Sequence, residues 1–162
     1  MMRDYVSDTG PLISFERIPD GFSLLRRLAH TITIPNPVYE ELRVGLPIGT
    51  DYLAHHGIAD FVEVVQVVQM LPETEGLHEG ERHAITLAAT LNLPLLIEER
   101  PGHAIAEKCG LRPIGAIGLI LNAWKSGMIT KDETAEHFAA LFSGKRISRA
   151  MLDKLLLIVK GN

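Results

Sequence analysis

Carboxylates mark the element boundaries of this sequence. Asp8 closes the first apolar run, YVSD; Glu98 and Glu99 directly follow the run LPLLI; Glu40 and Glu41 come early in PVYEELRVG; Glu79 and Glu81 open the segment EGERHAITLAATLN. One carboxylate at such a place is ordinary, because Asp suits turns and Glu in a first helical turn complements the dipole. Several brought to one point repel one another, and the arrangement is tolerable chiefly around a divalent cation. An all-oxygen donor set selects Mg²⁺ or Mn²⁺. Two such ions about 4 Å apart activate a water and stabilise the leaving oxygen in phosphodiester cleavage.

Other constellations carry less. Asp8-Thr9-Gly10 has the composition of an aspartic-protease turn, but it occurs once, in a helix-rich chain that lacks the β-structure and the second aspartate of that dyad. His78 and His83 flank Glu81 five residues apart, whereas a zinc helix needs i and i+4 on one face. His55-His56 has no partner pattern and reads as surface. Gly115 and Gly118 lack the G-x-G-x-x-G order and suit close helix packing.

For the acids to meet, the elements must deliver them to one edge. YVSD is a short strand that runs through a turn at Thr9-Gly10 into the helix PLISFERI. The helix FSLLRRLAH leads to TITIP, a strand closed by Pro35, and Pro37 suits the first turn of VYEELRVG. Residues 46–57 carry a weak helical signal, and FVEVVQVV reads as a strand by its valines. After the polar loop LPETEGLHEG, ERHAITLAATLN is a helix and LPLLI a strand apolar on both faces, as in a covered parallel sheet. ERPGHAIAEKCG is a helix stopped by Gly110, LRPI a brief strand, and GAIGLILNAWKSG a buried helix ending at Gly127. Thr130 and Glu133 have capping-box spacing before KDETAEHFAALF, and Ser148 can cap RAMLDKLLLIVK. Strands alternating with helices predict an α/β fold with a parallel sheet covered on both faces, in one domain spanning 1–162, with 130–162 as a helical appendage. In such sheets ligands gather outside the carboxyl ends of the strands, where Asp8, Glu98 and Glu99 fall.

Composition narrows the class. Sixteen Lys and Arg against twenty Asp and Glu in 162 residues give a net charge of −4, with no global pull toward a polyanion. An RNA partner would need a local patch, for which Arg26-Arg27 and Lys145, Arg146 and Arg149 are the natural phosphate contacts; a solvated face is the alternative. The single cysteine, Cys109, excludes an intrachain disulfide and a cysteine-rich zinc site and suits a reducing compartment. No apolar run is long enough to span a membrane and MMRDYVSD has no secretory core, so a cytoplasmic location is expected.

SDTGPLI, IPNPVYEEL, GERHAITLA, LLIEER and IGAIGLILNAWKSGMI follow one another in an order and spacing that resembles PIN domains. The likeness is to the short prokaryotic, VapC-like branch of toxin-antitoxin ribonucleases and runs from about residue 5 to 130. The resemblance implies a three-layer α/β/α sandwich with a central parallel sheet and, here, extra C-terminal helices. It implies a Mg²⁺- or Mn²⁺-dependent endoribonuclease whose metal-binding acids would be Asp8, Glu41, Glu81 and Glu98, with Glu99 as the substitute for Glu98. The fourth position departs from the family, which has aspartate after that strand, and a weakened nucleic-acid- or protein-binding module is therefore the alternative. Thr9 could touch a metal water or phosphate, or serve as a turn hydroxyl; Arg100 could contact a phosphate, or be solvated. RNA, a cognate antitoxin protein and a second copy of the chain are the partners so implied.

Overall fold

A computed structural model of the chain describes residues 2–161. Its elements in chain order are β1 (Arg3–Ser7), α1 (Thr9–Arg17), α2 (Gly21–Leu28), β2 (Ala29–Pro35), α3 (Asn36–Arg43), α4 (Tyr52–His55) and β3 (Val62–Val65). A 3-10 turn at Pro72–Thr74 precedes α5 (Glu79–Leu91), β4 (Leu95–Leu96), α6 (Arg100–Lys108), β5 (Pro113–Ile114), α7 (Ala116–Lys125), α8 (Lys131–Ser143) and α9 (Arg149–Lys160).

The five strands form one parallel sheet in the order β3-β2-β1-β4-β5. Alternation along the strands sorts the core into two layers. Tyr5 and Leu96 face a large cluster built with Leu12 and Phe15 of α1 and Ile120 of α7, while Val6, Leu95 and Ile97 face a smaller one with Ala84 and Ile85 of α5 and Ala106 of α6. The fold is thus a PIN-like α/β/α sandwich. Phe138 and Leu141 of α8 and Leu152, Leu155 and Val159 of α9 lie in the larger cluster, so the last two helices share the sheet's core instead of hanging from it. Thr130 accepts a bond from the Glu133 N–H at 3.0 Å and Ser148 one from the Met151 N–H at 3.0 Å, which caps both helices. No helix among the described residues is long and apolar enough to cross a membrane.

Four local expectations are corrected. Thr9-Gly10 is not a turn but the first two residues of α1, with Asp8 as N-cap. Ala29 and His30 belong to β2, because β1 pairs with the sheet from Arg3 opposite Ala29. Of residues 46–57 only Tyr52–His55 is helical, bracketed by Gly49 and Gly57 at φ +87° and +67°. His56, expected at the surface, is half-buried, with its ring 4.4 Å from that of Tyr52 and its Nε2 3.2 Å from Glu16.

The chain leaves β1 toward β2 on one side, and β4 flanks β1 on the other. The carboxyl ends of β1 and β4 therefore border the point where strand order reverses, the place where open parallel sheets form a crevice.

Candidate active site

That crevice is a cavity of about 470 Å³, and the residues after β1 and β4 form its floor. The Asp8 N–H donates to the Leu96 carbonyl at 2.9 Å, which joins the two strand ends and fixes where the Asp8 side chain emerges. Asp8 caps nothing with its carboxylate, although it holds the N-cap position of α1. It is 6% exposed. Burial, and then the charges of Glu81, Glu41 and Glu99, push its carboxyl from an ordinary 3.8 up to about 7, against the lowering effect of the Thr9 N–H.

Glu41 reaches the cavity from α3. Pro37 in the first turn and the buried Val38 and Leu42 set the helix against the sheet. Thr9 Oγ1 donates to Glu41 Oε2 at 2.8 Å. Glu40, its neighbour, pairs instead with Arg43 at 3.2 Å and does not line the cavity. A similar division holds in the first turn of α5. Glu79, at the rim, is bonded to His83 at 3.1 Å, whereas Glu81 points inward, is 5% exposed, and leaves its Oε2 without a hydrogen-bond partner among the described residues. Burial and the Glu99 charge raise the Glu81 carboxyl above its usual range.

Two glycines let these acids come so close. A Cβ on Gly80 would lie 2.6 Å from Glu41 Oε1 and 3.4 Å from Asp8 Oδ1, and one on Gly102 would lie 2.5 Å from Glu81 Oε2. A side chain at Gly80 would fill the space between Glu41 and Asp8, and one at Gly102 would press Glu81 out of its place.

Glu98 and Glu99 separate. Glu98 accepts Ser14 Oγ at 3.1 and 3.0 Å on its two oxygens, the Ala116 N–H at 3.4 Å, and Arg146 Nη2 at 3.0 Å. Its charge is met by the protein. Glu99 is the N-cap of α6 with no capping bond from its side chain, lines the cavity, and acts by its charge on both Asp8 and Glu81. The structure thus brings Asp8, Thr9, Glu41, Glu81, Glu98 and Glu99 to one cavity, and leaves Arg100 exposed at the start of α6, outside it. Of the basic residues expected to meet phosphates, Arg26 pairs with Asp60, Arg27 donates to the Met128 carbonyl at 2.9 Å and Arg149 pairs with Asp153 at 3.2 Å. Arg146 alone of that set lines the cavity.

Ser14 and the inward role of Arg146 escaped the sequence. Ser14 had one available signal, since it stands four residues after Gly10 and shares its helical face. Arg146 had none: the bond spans 48 residues and depends on how α8 packs.

The donor set is that of a hard cation site. Among the described residues no three His, Cys, Asp or Glu are gathered tightly enough to hold an ion as they stand. The buried Glu81 Oε2, unpartnered among the described residues, and the upward-shifted Asp8 nonetheless fit such an ion, because neither carboxylate is held in an ion pair or hydrogen bond that offsets its burial and its acidic neighbours.

The profile of the family DUF3368, a PIN domain, matches residues 4–160. A solved structure, a PilT N-terminus domain protein SSO1118 from the hyperthermophilic archaeon Sulfolobus solfataricus P2, is similar with a TM-score of 0.53 at 18% identity, over 76% of this chain and 95% of that one. At this identity the likeness concerns the fold. No curated protein matches the chain.

Proposed function

The chain belongs to the PIN-domain family, whose members are generally nucleases that use divalent metal ions, and from that premise we propose that it is a Mg²⁺- or Mn²⁺-dependent endoribonuclease. The observation that carries this reading is the pair of buried acids at the sheet's carboxyl edge, Asp8 and Glu81, each raised by burial and by neighbouring carboxylates, with only His78 opposing that charge at Glu81. Asp8, Glu41, Glu81 and Glu99 would hold the metal; Glu98, the first choice from sequence, is already neutralised by Arg146.

When bound, the metal would supply charge for the scissile phosphate and a water acidic enough to attack it near neutral pH. The chain's own residues do the positioning. Thr9 holds Glu41 by its 2.8 Å bond, and the Asp8 N–H ties the β1 end to β4. Gly80 keeps the space between Glu41 and Asp8 open and Gly102 the space beside Glu81, and the Asp8 carboxyl, raised to about 7, can release its proton to solvent when a cation takes its place. The reading also includes a cognate antitoxin that covers the acid cleft and a homodimer; co-purification with the product of an adjacent gene and light scattering test these.

Purified protein on mixed RNA, with Mn²⁺ and with EDTA, alongside Asp8→Asn, tests the activity. Cleavage is expected only with Mn²⁺ and intact Asp8. Activity that survives both EDTA and the substitution overturns the proposal, and RNA binding without turnover favours the weakened binding module.

A further inference from the structure

Six carboxylates and one guanidinium line the acid cleft. A polyanion meets this surface at a disadvantage that a bound ion reduces but does not remove, so the position of the one guanidinium matters. Arg146 comes from the turn between α8 and α9. Lys145 holds the left-handed conformation at φ +61°, and the Arg146 N–H donates to the Leu141 carbonyl at 2.8 Å, which fixes the backbone from which the side chain starts.

The guanidinium is held from one side. Nε donates to Ser14 Oγ at 3.1 Å, and Nη2 donates to the Gly10 carbonyl at 3.2 Å and to Glu98 Oε1 at 3.0 Å. Nη1 has no hydrogen-bond partner among the described residues, and the side chain is 25% exposed. A planar fork pinned along one edge presents its other edge at a defined angle, which suits recognition of a phosphate oxygen better than a mobile lysine would.

Arg146 and Glu98 also wall a second groove, of about 430 Å³, which adjoins the acid cleft through these two side chains. That groove is lined by His103 and by the apolar side chains of Ile97, Ile117, Ile147 and Met151. The guanidinium is a post between an acidic cleft and an apolar slot.

Resting on the ribonuclease reading, we infer that Arg146 binds the substrate backbone through Nη1 beside the scissile phosphate, and that the adjoining groove receives the neighbouring base, unstacked. Glu98 and Ser14 are then the tether that orients Arg146. The substrate class follows from the groove: bases in a double helix are stacked and paired, whereas a single strand can turn a base onto an apolar or imidazole surface.

The test uses a fluorescent RNA oligonucleotide in Mg²⁺, with Asp8→Asn added to every protein compared so that it is bound and not cut, and anisotropy read across a salt series. Arg146→Gln should weaken binding about tenfold at 0.1 M salt and lower the salt slope by about 0.7, the loss of one single-strand phosphate contact. Arg146→Lys should keep the slope but lose several-fold in affinity, because it retains the charge without the fork. Met151→Gln, which removes apolar surface without adding charge, should weaken the single strand while leaving its slope unchanged. If Arg146→Gln does not fold, the protein with Asp8→Asn alone still decides: it should favour the single strand over a duplex of the same sequence by at least about tenfold. Equal binding of duplex and single strand, or a folded Arg146→Gln with unaltered affinity and slope, overturns this inference alone while Mn²⁺-dependent cleavage stands. A wild type that neither cuts nor binds RNA overturns the ribonuclease reading and this inference together.

Discussion

The two halves of the cleft bury carboxylates in opposite ways. On the β4 side Glu98 is surrounded by donors, namely a serine hydroxyl, a backbone N–H and a guanidinium. On the β1 side Asp8 bears the charges of Glu81, Glu41 and Glu99, and Glu81 those of Glu99 and Glu41, eased only by His78, with a Glu81 oxygen that has no partner among the described residues. Both halves lie directly after strands in the same sheet. What separates a structural acid from an acid waiting for an ion is therefore the counter-charge the protein has or has not provided, and not its place on the sheet.

The largest expected effect sets the halves directly against each other. Asp8→Asn should lower Mn²⁺-dependent cleavage by about three orders of magnitude, the scale of several kcal/mol of lost charge stabilisation, and Glu98→Gln by less than about tenfold. Equal losses in a gel-based RNA assay would abolish the distinction.

Next comes the dependence of metal-free stability on pH. With its carboxyl at about 7 in the fold against 3.8 ordinarily, Asp8 keeps a proton in the folded state that the unfolded chain has already released between those values. Stability should accordingly fall as pH rises from about 4 to about 7 and level off above, by on the order of 4 kcal/mol from this group. The upward shift of Glu81 acts in the same direction. Urea midpoints in EDTA should show Asp8→Asn more stable than the wild type at pH 8 and no better at pH 4, and Mn²⁺ at pH 8 should stabilise the wild type far more than the variant. A wild type that gains stability relative to Asp8→Asn as pH rises would contradict the assignment.

Smaller effects sharpen the contrast through packing. Alanine at Gly102 would press on Glu81 Oε2 at 2.5 Å and Ile97 Cδ1 at 2.6 Å, whereas at Gly115 its nearest neighbour is Glu98 Cγ at 3.4 Å. Overpacking at Gly102 should cost about 1–3 kcal/mol, partly offset by up to about 1 kcal/mol of better helix propensity, with a tenfold or so loss of turnover. Gly115→Ala should change both little, as thermal melts and initial rates would show. The smallest effect belongs to Thr9→Val. Losing the bond to Glu41 should cost about 1 kcal/mol, a loss of about fivefold in rate, and Thr9→Ser should recover it.

Much of the fold was legible because local and tertiary preferences agree there. Thr130 and Ser148 cap as their spacing suggests, and Gly110 and Gly127 take the positive φ that ends α6 and α7. Where they disagree, the sheet wins: Ala29 and His30 continue a helical pattern but are drawn into β2 by pairing with β1. In the candidate site, strand ends and helix starts were enough to nominate Asp8 and the two pairs Glu40-Glu41 and Glu98-Glu99. The residues alone left Glu40 and Glu41 open, and only the resemblance singled out Glu41; that Glu98, and not Glu99, would have its charge met was not legible, because it depends on Arg146 and Ser14, remote in sequence.

The bond between Arg146 and Glu98 also bears on the order in which the fold is completed. Every acid of the cleft lies before residue 100, but the guanidinium follows more than forty residues later, together with the α9 side chains that complete the larger core. Until the last two helices pack, Glu98 lacks the guanidinium that meets its charge in the fold. Anything that loosens α8 and α9 from the core therefore uncovers a charge in the cleft as well as apolar surface.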